Sequence, residues 1–171
     1  MAININQQID DTFYRYKMPD LEIRQEGKGN GKSTKITNLS DIAKSLSIPP
    51  EFIIKYISLQ LGTKSTNNVI NGHHTKIDLI KLLYNFIDVF ILCKTCSIPE
   101  LSYYLDKCIY MDCSACGKIN TLESVNKLNQ KLITTFKNYI LQNGKILNTN
   151  VCIKNMSDPS ELRYNAYDPF K

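Results

Sequence analysis

Long apolar runs are missing from this chain of 171 residues: the ~20 uninterrupted apolar positions of a membrane span occur nowhere. The opening, Met1-Ala2-Ile3-Asn4-Ile5-Asn6, lacks a basic n-region and an apolar h-region, so it does not read as a signal peptide. The expectation is a soluble, intracellular chain. Histidine is scarce, with His73 and His74 side by side. Two adjacent histidines do not easily face one metal ion, and no partner ligands lie at useful spacing, so the pair reads as helix-entry structure. No Ser-His-Asp, Cys-His or paired-carboxylate constellation stands out, which argues against a self-contained hydrolase. Arginine is rare too: Arg15, Arg24 and Arg163 stand against 18 lysines. Ile, Asn and Lys make up a third of the chain, as an AT-rich coding genome produces. On that background an arginine marks a position needing a guanidinium, with an ordinary surface arginine as the competing reading.

What remains has globular composition, 43% hydrophobic and 22% charged, too apolar for disorder. A chain of 19.6 kDa forms one domain or two small ones and buries about two-thirds of its unfolded surface. The net charge of +5 permits a polyanionic partner without requiring one.

Four of the six cysteines fall as Cys93-x2-Cys96, sixteen further residues, then Cys113-x2-Cys116. That spacing suits one tetrahedral zinc held by two knuckles at the turns of facing hairpins. The alternative, a disulfide framework, belongs to short secreted chains. Gly117, directly after the second pair, fits the tight turn of a knuckle. Four thiolates leave no open position for water, so the metal is expected to be structural. Cys108 and Cys152 read as plain thiols.

Along the chain, residues 1–20 show no sustained period and read as an extended or weakly ordered N-terminal arm. Residues 21–25 alternate as a strand does, with 34–37 as a β-branched partner and a long hairpin loop between them. Asn38 or Ser40 is placed to cap a short helix carrying Leu39, Ile42, Ala43 and Leu46. Pro49-Pro50 opens a second helix over 51–61, stopped by Gly62. Val69-Ile70 reads as a short strand ending at the Asn71-Gly72 turn. A long helix follows over 75–92, then two short strands over 100–112 between the knuckles, and a last helix over 123–141. The organisation expected is a flexible arm at 1–20, an α/β (α+β) domain at 21–92, a four-cysteine zinc ribbon at 93–121, and a C-terminal helix and tail at 122–171.

Two segments invite a functional reading. The loop Glu26-Gly27-Lys28-Gly29-Asn30-Gly31-Lys32-Ser33 is no P-loop, because Gly27 to Gly31 encloses three residues rather than four and β-branched residues follow instead of a helix. It reads instead as a cationic hairpin tip, with Lys28, Asn30 and Lys32 suited to RNA phosphates or base edges. An ordinary solvated turn stays open beside that. The arm segment Phe13-Tyr14-Arg15-Tyr16-Lys17-Met18-Pro19 presents an aromatic-flanked arginine. It suits either RNA stacking or a guanidinium delivered in trans to a γ-phosphate, for which lysine, lacking a planar fork, is a poor substitute.

These two segments, with Asp41-Ile42-Ala43-Lys44, Pro49-Pro50, Lys55-Tyr56, Leu61-Gly62, Asn71-Gly72, Cys-x2-Cys and Cys-x2-Cys-Gly in that order, resemble the N-terminal domain of eukaryotic translation initiation factor five. The resemblance covers about residues 1–130. It implies an α/β fold like that of initiation factor one joined to a zinc ribbon. It further implies a GTPase-activating factor, not itself a hydrolase, for initiation factor two, whose γ subunit holds GTP and initiator tRNA on the small ribosomal subunit. The implied setting is the cytoplasm, on mRNA during start-codon selection, with this chain acting as a monomer. Arg15 matches the family's arginine finger and Lys55 its second functional lysine. Ser33 stands where the family usually has another lysine, with Lys32 beside it as substitute. The loop Lys28, Gly29, Asn30, Gly31 would approach the codon–anticodon region. The hairpin between Leu61-Gly62 and Asn71-Gly72 is several residues shorter than usual and leaves Lys64, Asn67 and Asn68. The acidic linker and helical-repeat domain of typical members have no counterpart in these residues. The runner-up resemblance is the β subunit of initiation factor two, an RNA-binding subunit without an activating role. A decoy that kept the fold and lost activation is a third possibility.

Overall fold

Alternating and β-branched residues form strands close to the expected places. The computed structural model describes residues 2–122 and 127–146, with the backbone alone at 127–129. Strands β1 (Ala2–Asn4) and β2 (Lys17–Pro19) pair antiparallel, Ile3 opposite Met18. Strands β3 (Ile23–Glu26) and β4 (Ser33–Ile36) form the expected hairpin, with Arg24 opposite Lys35. They join β5 (Ser65–Thr66) and β6 (Val69–Asn71) in a four-stranded sheet of order β3-β4-β6-β5. The ribbon contains β7 (Leu101–Leu105), β8 (Ile109–Cys113) and β9 (Ile119–Thr121), all antiparallel. No period in the sequence marks β5 or β9. Each is two or three residues long and is held by its backbone pairing.

Helix α1 (Leu39–Leu46) buries Leu39, Ile42, Ala43 and Leu46, one stripe at i, i+3, i+4 and i+7. Asn38 sits at its N-terminus but does not cap it. Its side chain accepts from the Glu22 N–H (3.0 Å) and donates to the Asp20 carbonyl (2.7 Å), tying the arm's end to the helix entry. Helix α2 (Pro50–Leu61) starts on a proline and ends at Gly62 in the left-handed region, as the breakers imply. Helix α3 (Lys76–Phe90) is capped by Thr75, whose hydroxyl accepts from the Asp78 N–H. It buries Leu79, Leu83, Phe86, Ile87 and Phe90. Full burial of each such side chain is worth ~1.5–3 kcal/mol, so packing rather than propensity holds it.

Helix α4 (Lys127–Asn143) corresponds to the last expected helix; positions 123–126 of that expectation lie outside the described residues, as do the tail at 147–171, Cys152 and Arg163. Phe136 of α4 stacks on Phe52 of α2 with centroids 4.0 Å apart, and on Phe90 of α3 at 5.7 Å. It also meets Tyr103 of β7. Beyond α4 the backbone of Ile146 exchanges two hydrogen bonds with Tyr103, adding a bridge at the β7 edge. One continuous core therefore runs from the helices into the ribbon.

The largest departure from the sequence reading lies at 1–20. Ile5 and Met18 are among the most deeply buried side chains, and the Ile5 N–H donates to the Tyr16 carbonyl (3.0 Å). Three-residue strands are too short to establish a period. The apolar surface that orders them comes from elements far along the chain.

Candidate functional site

The cysteine centre is built by two equivalent knuckles. In the first, the Ser97 N–H donates to the Cys93 carbonyl (2.9 Å) and the Cys93 N–H to the Ile98 carbonyl (3.1 Å). In the second, the Gly117 N–H donates to the Cys113 carbonyl (2.8 Å) and the Cys113 N–H to the Lys118 carbonyl (3.1 Å). The residue after each second cysteine is left-handed, Ser97 at φ 56° and Gly117 at φ 70°. Glycine is at ease there and serine is not. The four Sγ atoms lie within 4.8 Å of one another, with Cys93–Cys116 at 3.7 Å and Cys96–Cys113 at 3.6 Å. A tetrahedron of sulfurs about 2.3 Å from a central zinc has edges of about 3.8 Å, so the set is close enough to hold a metal ion. Its softness suits zinc rather than an oxygen-seeking cation. Burial pushes the Cys113 thiol up to about 12. Burial also raises Cys93, but the N–H groups of Cys96 and Thr95 together with hydrogen bonds from the Cys113 and Cys116 thiols bring it down to about 7.

The arm lies against this centre. Arg15 is exposed in the loop between β1 and β2, its guanidinium carbon 5.5 Å from the centre of the Tyr16 ring. It shares a shallow depression with Ile5, Lys17 and Ser45. The Tyr14 and Tyr16 rings meet edge to face at 5.5 Å. The Tyr16 hydroxyl donates to the Glu100 carboxylate, and the Asn6 amide reaches the Ser97 carbonyl at 3.4 Å. Burial and then the Glu100 hydrogen bond push the Tyr16 phenol up to about 12, so it remains a donor at neutral pH. Burial and the Cys96 sulfur beside it raise Tyr14 as well. Tyr84 of α3 donates to the Asn4 carbonyl (3.3 Å), and Lys76 holds Asp20 at 2.7 Å. Arg15 thus projects from an arm fastened on both sides.

The sheet order gathers the cationic residues at one end. The Gly72 N–H donates to the Lys32 carbonyl (2.8 Å) and the Asn71 N–H to the Lys64 carbonyl (3.0 Å). Lys64 therefore joins the 27–32 tip, while Asn67 and Asn68 lie at the sheet's other end, where the Asn68 amide donates to the Ile36 carbonyl. Lys28, Gly29, Asn30, Gly31, Lys32 and Lys64 are all exposed. The tip is one 3-10 turn over Gly29–Gly31, and the Gly31 N–H returns to the Lys28 carbonyl (3.2 Å). Gly27 sits at φ +81°, where an added Cβ would lie 2.0 Å from the Gly31 carbonyl oxygen. The histidines work as helix-entry structure. His74 donates its N–H to the Thr34 hydroxyl (3.0 Å), and the His73 ring lies 3.3 Å from the Glu26 carbonyl. Lys55 is exposed on α2, so Arg15, Lys55 and Lys32 occupy three different elements. The contacts of Tyr16 and Asn6 with the ribbon were not legible in the sequence; the only signal was the aromatic pair flanking Arg15.

A four-cysteine ribbon, its sulfurs close enough to hold a metal ion, is joined to a small α/β module through one core. Residues 6–119 match the family model for a domain found in initiation factors 2B and 5, and the chain belongs to that family. It is 41% identical over 136 residues to eukaryotic translation initiation factor 5 of Caenorhabditis elegans, covering 75% of this chain and 31% of the relative. The probable factor 5 of Schizosaccharomyces pombe is 39% identical over 141 residues, covering 77% and 36%. Factor 5 of Saccharomyces cerevisiae is 36% identical over 141 residues, covering 78% and 35%. The chain therefore corresponds to a factor-5-type N-terminal domain and spans about a third of the length of these relatives. Among the described residues no helix is long and apolar enough to cross a membrane.

Proposed function

We propose that this chain activates GTP hydrolysis by initiation factor two during start-codon selection, with Arg15 as a finger supplied in trans. The observation that carries the reading is an exposed arginine on an arm held at Tyr16 and Asn6, in a chain whose relatives are named initiation factor 5. An arginine so placed stabilises charge building between the γ-phosphate and the leaving oxygen, and the activator itself hydrolyses nothing. Lys55 and Lys32 support binding or positioning from their own elements. Lys28, Gly29, Asn30, Gly31 and Lys64 form an RNA face toward initiator tRNA, mRNA and the small ribosomal subunit. One structural zinc is held by Cys93, Cys96, Cys113 and Cys116. The site of action is the cytoplasm, and the chain works as a monomer whose partner is the γ subunit carrying GTP.

The test is single-turnover GTP hydrolysis on assembled initiation complexes. Arg15→Ala and Arg15→Lys are expected to lose at least tenfold of the stimulated rate while still binding the complex; arginine fingers elsewhere contribute roughly 10³- to 10⁵-fold. Near-wild-type rates in Arg15→Lys overturn the finger reading and leave a simple charge contact. The family model is not confined to factor 5, which leaves room for the second reading, a non-activating RNA-binding subunit like the β subunit of initiation factor two. That reading expects stable co-purification with the γ subunit and no stimulation.

A further inference from the structure

Residues 84 and 91 positions apart in sequence meet where the arm touches the ribbon: Tyr16 with Glu100, and Asn6 with Ser97. Both partners belong to the cysteine centre's own scaffold. Ser97 is the left-handed residue that closes the first knuckle. Glu100 uses its carbonyl to accept from the Ser114 N–H of the second knuckle (3.0 Å), while its carboxylate accepts from Tyr16. The Tyr16 ring in turn lies 5.5 Å from the Arg15 guanidinium carbon. A continuous path therefore runs from the Cys113 knuckle through the Glu100 backbone and side chain to Tyr16, and from there to Arg15.

Geometry favours a role for that path beyond holding the fold. Ile5 and Met18 already bury the strand ends of the arm, and Tyr84 holds Asn4. The Tyr16–Glu100 bond adds little to that burial. It acts at the residue next to Arg15, the one whose ring lies against the guanidinium. Holding a reacting group near its working position accelerates a reaction, and a displacement of about 1 Å costs on the order of a hundredfold.

We infer that Glu100 and Tyr16 are positioning residues for Arg15, so that the cysteine centre serves as the rigid base from which the arm presents its guanidinium. This rests on the reading of Arg15 given above. The experiment compares Tyr16→Phe, Glu100→Ala and Glu100→Gln with the unmodified protein and with Arg15→Ala, each checked for metal content and melting temperature. Stimulated hydrolysis is measured as a function of activator concentration. Tyr16→Phe and Glu100→Ala are expected to lower the maximal rate about tenfold, the scale of one charge-assisted hydrogen bond, at unchanged half-saturation. Glu100→Gln, which still accepts from the phenol, restores most of the rate. The double variant Tyr16→Phe/Glu100→Ala is no worse than either single one.

A readout independent of hydrolysis is the ¹⁵N relaxation of the Arg15 Nε–H. It is expected to be ordered in the unmodified protein and in Glu100→Gln, and mobile in the other two. Maximal rates within twofold of wild type in Tyr16→Phe and Glu100→Ala, alongside loss in Arg15→Ala, overturn the inference and leave the finger reading standing. Full stimulation by Arg15→Ala overturns the finger reading itself. Equal Arg15 mobility in all variants overturns the anchor whatever the rates.

Discussion

Replacing Cys113 with serine tests the centre on which the arm rests. Cys93 and Cys113 are buried, and the strands between the knuckles turn Leu101, Tyr103, Ile109 and Met111 into the shared core. Structural zinc contributes ~10–16 kcal/mol of apparent binding free energy in small zinc domains, against ~5–15 kcal/mol for a typical whole domain. Loss of one ligand is therefore expected to remove the metal and unfold 93–122, taking with it the seats of Tyr16 and Asn6. The chain has no tryptophan, so tyrosine emission, with Tyr103 buried at the centre, reports the change. Metal analysis should find one zinc per chain in the unmodified protein and none in Cys113→Ser. Cobalt substitution should give the absorption of a tetrahedral tetrathiolate. Ligation needs thiolates, so affinity falls as pH falls. The Cys113 proton, held up to about 12 by burial, is displaced by the metal throughout the working range. Cys93, brought to about 7, adds one further displaced proton below that pH, so the decline steepens there. A Cys113→Ser protein with wild-type melting and fully protected β7 and β8 amides would refute the reasoning.

Two further perturbations probe the sheet tip and the arm's far end. Gly27→Ala forces a Cβ to 2.0 Å from the Gly31 carbonyl oxygen at φ +81° and is expected to cost about 1 to 2 kcal/mol in urea melts. Gly31→Ala, with nothing within 4 Å, should stay within about 0.5 kcal/mol; equal effects would show the tip is built otherwise. The Asp20–Lys76 pair at 2.7 Å is partly exposed, so a double-mutant cycle of Asp20→Asn and Lys76→Met should give about 0.5 to 1 kcal/mol. The Lys76 hydrogen bond holds the Asp20 carboxyl below its ordinary 3.8, so this coupling is complete above that range and is lost as pH falls through the folded value. A coupling that persists undiminished in strong acid contradicts the assignment.

The elements that sequence reasoning located are those whose signal is contained within them. Helices α1 and α3 carry their apolar stripes at i, i+3 and i+4, and α2 carries its own stop signal in Gly62. The cysteine pairs declare a cluster through spacing alone, and the four sulfurs do converge. The charged tip was legible as a loop between two strands, but its neighbours were not. Lys64 joins Lys32 because β4 and β5 both flank β6, a sheet order that no local pattern encodes. Asn38 stands where a cap was expected, and its amide is used instead on Asp20 and Glu22, a tertiary use that overrides the local preference.

The arm makes the same point most strongly. Read alone, residues 1–20 have no core of their own, because three-residue strands of which β1 fully buries no side chain and β2 only Met18, with Ile5 just beyond β1, cannot order themselves. The ribbon supplies part of their support, Tyr16 bonding Glu100 and Asn6 reaching Ser97 at the knuckle turns, while Tyr84, Lys76 and Asn38 hold the arm from the helix side. A sequence pattern reports what a segment can do with its neighbours along the chain. A segment stabilised from 84 or 91 residues away therefore looks unstructured until its support is known. The same dependence gives the arm its mechanical sense. If Glu100 positions Arg15 through Tyr16, as inferred above, disturbing the cysteine centre is expected to disturb Arg15 before it disturbs helices α1 to α3.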